Sequence, residues 1–144
     1  VLLSGGAGAL NSWGQDKAAN LSDYATGSWT PSDQSGASLS FTGVDAGYTR
    51  IGNMVFAYCT LQYPVTASGA VAVIGGLPYT VANRSGAVLP QPIISANINT
   101  PGVLLYTVKN TTTFKIYNEN TLAFVLNSTL SNDAFNFGIV YPIA

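Results

Sequence analysis

No histidine occurs anywhere in the 144 residues of this chain. That removes the usual general base and the commonest metal ligand together, and it excludes Ser-His-Asp and Cys-His catalysis within the chain. Charge is nearly as scarce: Lys, Arg, Asp and Glu make up 8% of residues, where about a quarter is ordinary. The net charge is -1, and only Lys109 and Lys115 lie near each other, so nothing resembles the clustered cations that bind a phosphate backbone. Nucleic acid is not expected as a partner, and a basic membrane-surface patch is missing for the same reason. Cys59 is the single cysteine; it can form no intrachain disulfide and, inside an apolar run, reads as a small buried hydrophobe. No apolar run approaches the roughly 18 residues that cross a bilayer. The opening Val1-Leu2-Leu3 has neither the length nor the basic flank of a signal sequence, so membrane insertion is not expected.

What remains is apolar and neutral. Hydrophobic residues are 47% of the chain, and Ser, Thr, Asn and Gln supply most of the polarity. A surface so poor in charge favours burial in an oligomer. The length suits one domain with a real core. The chain opens without Met, and the expectation is a piece of a longer protein whose N-terminal neighbour lies upstream. Residues 1–26 are rich in Gly, Ala, Ser and Asn, carry only scattered large residues and show no sustained period, which reads as an extended leader or linker. Residues 27–144 read as the domain proper, with Trp29 as a first anchor.

The domain is organised around residues 47–61. Gly52-Asn53 is a turn pair between runs of strand-forming residues, so 48–51 and 54–63 are expected to form a hairpin. The second arm is apolar on both faces, with Val55, Ala57, Cys59 and Leu61 pointing one way and Met54, Phe56 and Tyr58 the other. A half-buried strand would alternate apolar with polar. One face is therefore expected to fill the core and the other to meet a second sheet edge or a neighbouring subunit. Further strand-like runs follow at short intervals: 39–42 leading to a loop at 43–47, then 70–74 ended by Gly75-Gly76, and 92–96 beside Pro90 and Pro92, which suit an edge strand or a connection and not the middle of a sheet. A second hairpin is expected from 103–108 and 113–117, with Leu104, Tyr106, Val108, Phe114 and Ile116 on its apolar side. Runs 121–126 and 135–143 close the chain. Many short strands between Gly, Pro and Asn turns, with no helix of any length, predict an all-β fold, an antiparallel β-sandwich or jelly roll.

Three stretches together resemble a known family. Residues 25–31 (Ala-Thr-Gly-Ser-Trp-Thr-Pro), 47–56 (Gly-Tyr-Thr-Arg-Ile-Gly-Asn-Met-Val-Phe) and 76–80 (Gly-Leu-Pro-Tyr-Thr) are similar to the markers G-T-W-T-P, Y-x-x-x-G-N-x-V and G-L-P-F. Those markers recur, in that order, in a module at the C-terminal end of bacteriophage tailspikes and tail fibres. The resemblance runs from about Thr26 to the closing Phe137-Gly138-Ile139-Val140-Tyr141. It implies a jelly-roll-like β-sandwich that assembles as a homotrimer, caps the fibre or spike in the virion, and in some members touches bacterial surface polysaccharide or lipopolysaccharide during host attachment. Any glycan-degrading activity would belong to an upstream domain. Ser28 stands where Thr is usual, Tyr79 where Phe is usual, and Cys59 is foreign to the pattern.

Candidate residues follow from chemistry. Met54, Phe56 and Tyr58 are the candidate trimer interface. Sugars present apolar ring faces and dense hydroxyls, so a binding surface needs exposed aromatics beside amides and hydroxyls. Lys115, Tyr117, Asn118 and Asn120 on the second hairpin, and Asn83 with Arg84 in their loop, fit that need. The plain alternative is that such tyrosines are strand formers and such asparagines mark turns. A stand-alone lectin-like carbohydrate-binding module is the competing function. An enzyme would need a carboxylate pair, Asp45 and Glu119 of different subunits, in place of a histidine; all six carboxylates also suit turns or the leader, and no catalytic residue is expected. Asp16 and Asp23 lack the acidic spacing of a calcium loop, and no Gly-rich phosphate loop opens a helix, so neither metal nor cofactor is expected. Sequons at Asn20, Asn83, Asn110 and Asn127 add little in a chain so rich in Asn, Ser and Thr.

Overall fold

The structure is a computed structural model that describes residues 23–85, 91–92 and 101–143. Residues 1–22 of the expected leader, and residues 88–90 and 93–96 around the proline pair, lie outside the described residues.

The central hairpin forms as the sequence dictates. Strand β3 (Thr42–Ile51) turns at Gly52-Asn53 into β4 (Met54–Gln62), with Ile51 opposite Met54. Gly52 takes φ +60 while Asn53 stays out of the left-handed region, a two-residue turn whose twist matches that of the strands it joins. Residues 43–47, expected as a loop, belong instead to β3: Asp45 pairs with Thr60, and a bulge between Thr42 and Asp45 absorbs the irregularity. The long apolar β4 offers a backbone template that a Gly-flanked partner can follow. Of the expected strand 39–42 only Thr42 is strand; Leu39 and Phe41 pack against the core from a loop.

Two antiparallel sheets result. The first runs β1-β3-β4-β10, where β1 is Tyr24–Ser28 and β10 is Ala134–Pro142. Pairing of β1 starts at Tyr24 opposite Ile51, so regular structure reaches across residues 26 and 27. The second sheet runs β2 (Ser32–Asp33), β5 (Val73–Gly75), β8 (Phe114–Asn118), β7 (Val103–Thr107) and β6 (Gln91–Pro92), with β9 (Ala123–Phe124) also paired to β8. Pro92 lies on β6, the last strand in that order, a position that suits a residue without an N–H. The fold is all-β, and the described residues contain no α-helix; a 3-10 turn forms at Asn127–Leu130.

Both sheets feed one hydrophobic cluster. Val55, Ala57, Cys59 and Leu61 of β4 and Phe135, Phe137, Ile139 and Tyr141 of β10 are buried together with Ile74, Leu105, Phe114 and Ile116 of the second sheet. Phe114 meets Phe137 across the two sheets with ring centroids 5.2 Å apart. Trp29 packs on Phe137 at 6.4 Å, and its indole N–H donates to the Tyr58 carbonyl at 3.1 Å, so the polar end of a buried ring is satisfied. Each large side chain so buried contributes about 1.5–3 kcal/mol.

One face assignment differs from expectation. In the second hairpin Leu105 pairs with Ile116 and Thr107 with Phe114 on the core side, while Leu104 faces Tyr117 and Tyr106 faces Lys115 on the other. Leu104 and Tyr106 thus share the outer face with Lys115 and Tyr117, opposite to Phe114 and Ile116. Alternation within each strand was legible, but the phase between strands depends on register, which the loop at 108–113 leaves free.

Candidate functional site

The outer face of the first sheet is almost free of charge. Alternation places Tyr24, Ile51, Met54, Phe56, Tyr58, Val140 and Pro142 on it, since Ile51 pairs with both Tyr24 and Met54, and Val140 with Phe56. Tyr24, Ile51, Phe56 and Tyr58 are exposed, the last two at 47% and 57%. Asp45, paired with Thr60 toward the far end, is the one charge in this register. Gly47 keeps the face open: a Cβ there would collide with the Tyr58 ring, which lies across it. Beside Tyr58, Gly138 leaves a shallow depression of about 280 Å³, also lined by Cys59, Thr60, Asn136 and Phe137. Of the three candidate interface residues, Phe56 and Tyr58 are therefore solvent-exposed and Met54 is half-buried.

The second sheet presents a different surface. Tyr106, Tyr117 and Phe124 form a ring cluster, with centroids 5.2 Å apart for Tyr106 and Tyr117, 5.5 Å for Tyr117 and Phe124, and 6.3 Å for Tyr106 and Phe124. Three adjacent strands build it: β7 gives Tyr106, β8 gives Tyr117, and β9 brings Phe124 opposite Tyr117. The Lys115 ammonium sits 5.1 Å from the Phe124 ring centre, a cation held over a π face.

The other proposed sugar contacts fare differently. Asn118 is buried, and its Oδ1 accepts the N–H groups of Asn120 at 2.8 Å and Thr121 at 3.2 Å, so it braces the β8–β9 turn from inside. Asn120 is exposed, but its Nδ2 donates to the Pro101 carbonyl at 3.0 Å and ties that turn to its neighbour. Asn83 and Arg84 are exposed, and no ring contact or hydrogen bond among the described residues joins them to the aromatic cluster. Thus Lys115 and Tyr117 come together with Tyr106 and Phe124, which sequence reading did not place there. The missing signal was register for Tyr106 and, for Phe124, the sharp turn that folds β9 back on β8.

Asp33, Asp133 and Cys59 owe their shifts to their surroundings in the fold. Asp33 is lifted by desolvation, but hydrogen bonds from Ser35, Leu39 and Ala37 outweigh that and hold its carboxyl below the usual range. Its Oδ1 accepts from the Ser35 N–H at 2.9 Å and its Oδ2 from the Leu39 N–H at 3.0 Å, fixing the loop after β2. Asp133 is buried with Oδ2 unpartnered, and burial raises its carboxyl. Burial chiefly, with the Asp45 charge adding, pushes the Cys59 thiol up to about 12. Asn127 is fully buried: Tyr63 donates its hydroxyl to Oδ1, and Nδ2 donates to Ser35 Oγ at 2.8 Å and Ser68 Oγ at 3.3 Å. Its sequon therefore cannot carry a glycan in the folded chain, whereas Asn83 and Asn110 are exposed. Among the described residues no three His, Cys, Asp or Glu side chains stand together as metal ligands, and no helix is long and apolar enough to cross a membrane.

No family model matches the chain, and no curated protein matches it either.

Proposed function

We propose that this chain is a non-catalytic, self-assembling domain of a tailspike-like or tail-fibre-like protein of a phage virion, a jelly-roll-like β-sandwich that trimerises through the outer face of the first sheet. The observation that carries the proposal is that face itself. Phe56 and Tyr58 stand half exposed on a central strand, with Ile51, Tyr24 and Val140 around them and one carboxylate at the margin. Apolar surface of this kind gains about 25 cal/mol per Å² when covered, and a closed rotational assembly covers it on every copy. The markers shared with phage fibre modules also have structural work in this chain: Trp29 anchors the core, Gly52-Asn53 turns the hairpin, and Gly76 lets two backbone segments touch.

Light scattering coupled to size exclusion tests the reading. A mass near three chains is expected, and the double substitution Phe56→Ser with Tyr58→Ser is expected to release monomers that keep their β-rich circular dichroism. A wild-type monomer at neutral pH overturns the proposal.

A second reading, binding of bacterial surface polysaccharide either within such a fibre or as a stand-alone lectin-like module, is favoured by the Tyr106, Tyr117 and Phe124 cluster. Loss of polysaccharide binding on Tyr117→Ala, with the oligomer mass unchanged, would support it; no binding to the host polysaccharide would remove it.

A further inference from the structure

Of the five basic residues in the whole chain, two line one depression. It measures about 330 Å³ and is walled by Tyr106, Thr107, Val108, Lys109, Lys115 and Phe124. Tyr106 and Lys115 are cross-strand partners, and Lys109 follows from the end of β7. No carboxylate lines the depression. Among the described residues neither lysine pairs with a carboxylate; the ion pair found there, Arg50 with Asp23 at 3.4 Å, lies elsewhere.

We infer that this depression binds a carboxylated sugar unit, such as a uronic acid residue of an acidic polysaccharide. The inference rests on the glycan-binding reading and names its ligand class. Its volume falls at the lower end of small-molecule sites, about 300–1,000 Å³. The ammonium of Lys115 already occupies one side of Phe124, so Tyr106 is the ring left to stack on the apolar face of a pyranose. The two lysines supply point charges for one carboxylate. Two lysine point charges would also hold a phosphate monoester, so a hexose phosphate is the competing ligand in the test. A nucleic-acid strand would need a longer track of cations than these two.

The test is titration of the intact protein, followed by amide NMR shifts and calorimetry, with a galacturonic acid trisaccharide, with its neutral galactose counterpart and with galactose 6-phosphate. The acidic sugar is expected to bind, more weakly as salt rises from about 50 to about 300 mM, and to shift signals of Tyr106, Lys109 and Lys115. Lys109→Gln and Lys115→Gln are each expected to weaken it about three- to fivefold, as befits charges still partly open to solvent. Tyr106→Phe should retain binding and Tyr106→Ala lose it, with thermal melts reporting that each variant is folded. Equal binding of both sugars, unaffected by the lysine substitutions, overturns the acidic assignment while the glycan reading stands. Preference for a hexose phosphate over the uronide also overturns it. If neither trisaccharide nor the host polysaccharide binds, the inference and the glycan reading fall together, and the trimer reading is judged separately by mass.

Discussion

Replacing Gly76 with Ala puts a methyl group where the backbone leaves no room for one. An added Cβ would lie 2.0 Å from the Thr30 carbonyl oxygen and 3.0 Å from its carbon, both main-chain atoms that cannot rotate aside. Relief requires a backbone shift of about 1 Å, and each side is pinned. Thr30 follows Trp29, whose N–H donates to the Ala46 carbonyl at 3.2 Å, and Gly76 precedes Leu77, buried, with its N–H on the Thr112 carbonyl at 3.0 Å. Gly76 also takes φ +92, where an L side chain is strained by about 1–2 kcal/mol. Gly36 separates the two effects, because it has φ +83 with nothing within 4 Å of an added Cβ. Gly36→Ala is expected to cost the strain alone, about 1–2 kcal/mol. Gly76→Ala is expected to cost about 3–5 kcal/mol, a large share of an ordinary domain's stability. Gly69→Ala, with an ordinary φ and open space, is expected to be neutral or stabilising by about 0.4–1 kcal/mol. Urea unfolding followed by tryptophan fluorescence at fixed protein concentration reads all three. If Gly76→Ala proves no worse than Gly36→Ala, the close approach of Thr30 and Gly76 is not part of the fold.

Tyr63→Phe removes the donor to the buried Asn127 Oδ1 and is expected to cost about 1–3 kcal/mol in urea midpoint analysis; an unchanged midpoint would mean that the Asn127 network does not brace the fold. Asp33, with its folded pKa lowered, contributes stability above the unfolded carboxylate value that is lost as pH falls through the folded one. Asp33→Ala is accordingly expected to destabilise by about 1 kcal/mol at neutral pH, held low by partial exposure, and the deficit should vanish in acid melts. Asp133 has the opposite sign: its raised folded pKa penalises the charged form, so Asp133→Asn is expected to raise the melting temperature at neutral pH, the gain fading as pH falls toward about 4. Cys59, buried and with its thiol pushed up to about 12, is expected to resist alkylation at pH 8 until denaturant is added, and rapid native labelling followed by mass spectrometry would contradict its place in the core.

The sequence by itself determined the all-β class, the Gly52-Asn53 hairpin, the two-faced alternation of β4 and the burial of Trp29 and Cys59. These are local facts. A two-residue turn fixes its own register, and within one strand a period of two decides which residues share a face. It also determined that histidine chemistry is excluded, since composition needs no fold. Only the tertiary structure decided the rest. It turned 43–47 into strand because a long partner was available to pair with, and it set Tyr106 beside Lys115 because a loop of several residues leaves the phase between strands open. The same holds for two asparagines that read alike as surface amides or sequons. Asn118 closes a turn from within and Asn127 joins Tyr63, Ser35 and Ser68, because a buried backbone or hydroxyl must find a partner and the partner is chosen by proximity in space. Faces within strands are written in sequence; sites made between strands are written in register, and register belongs to the folded sheet.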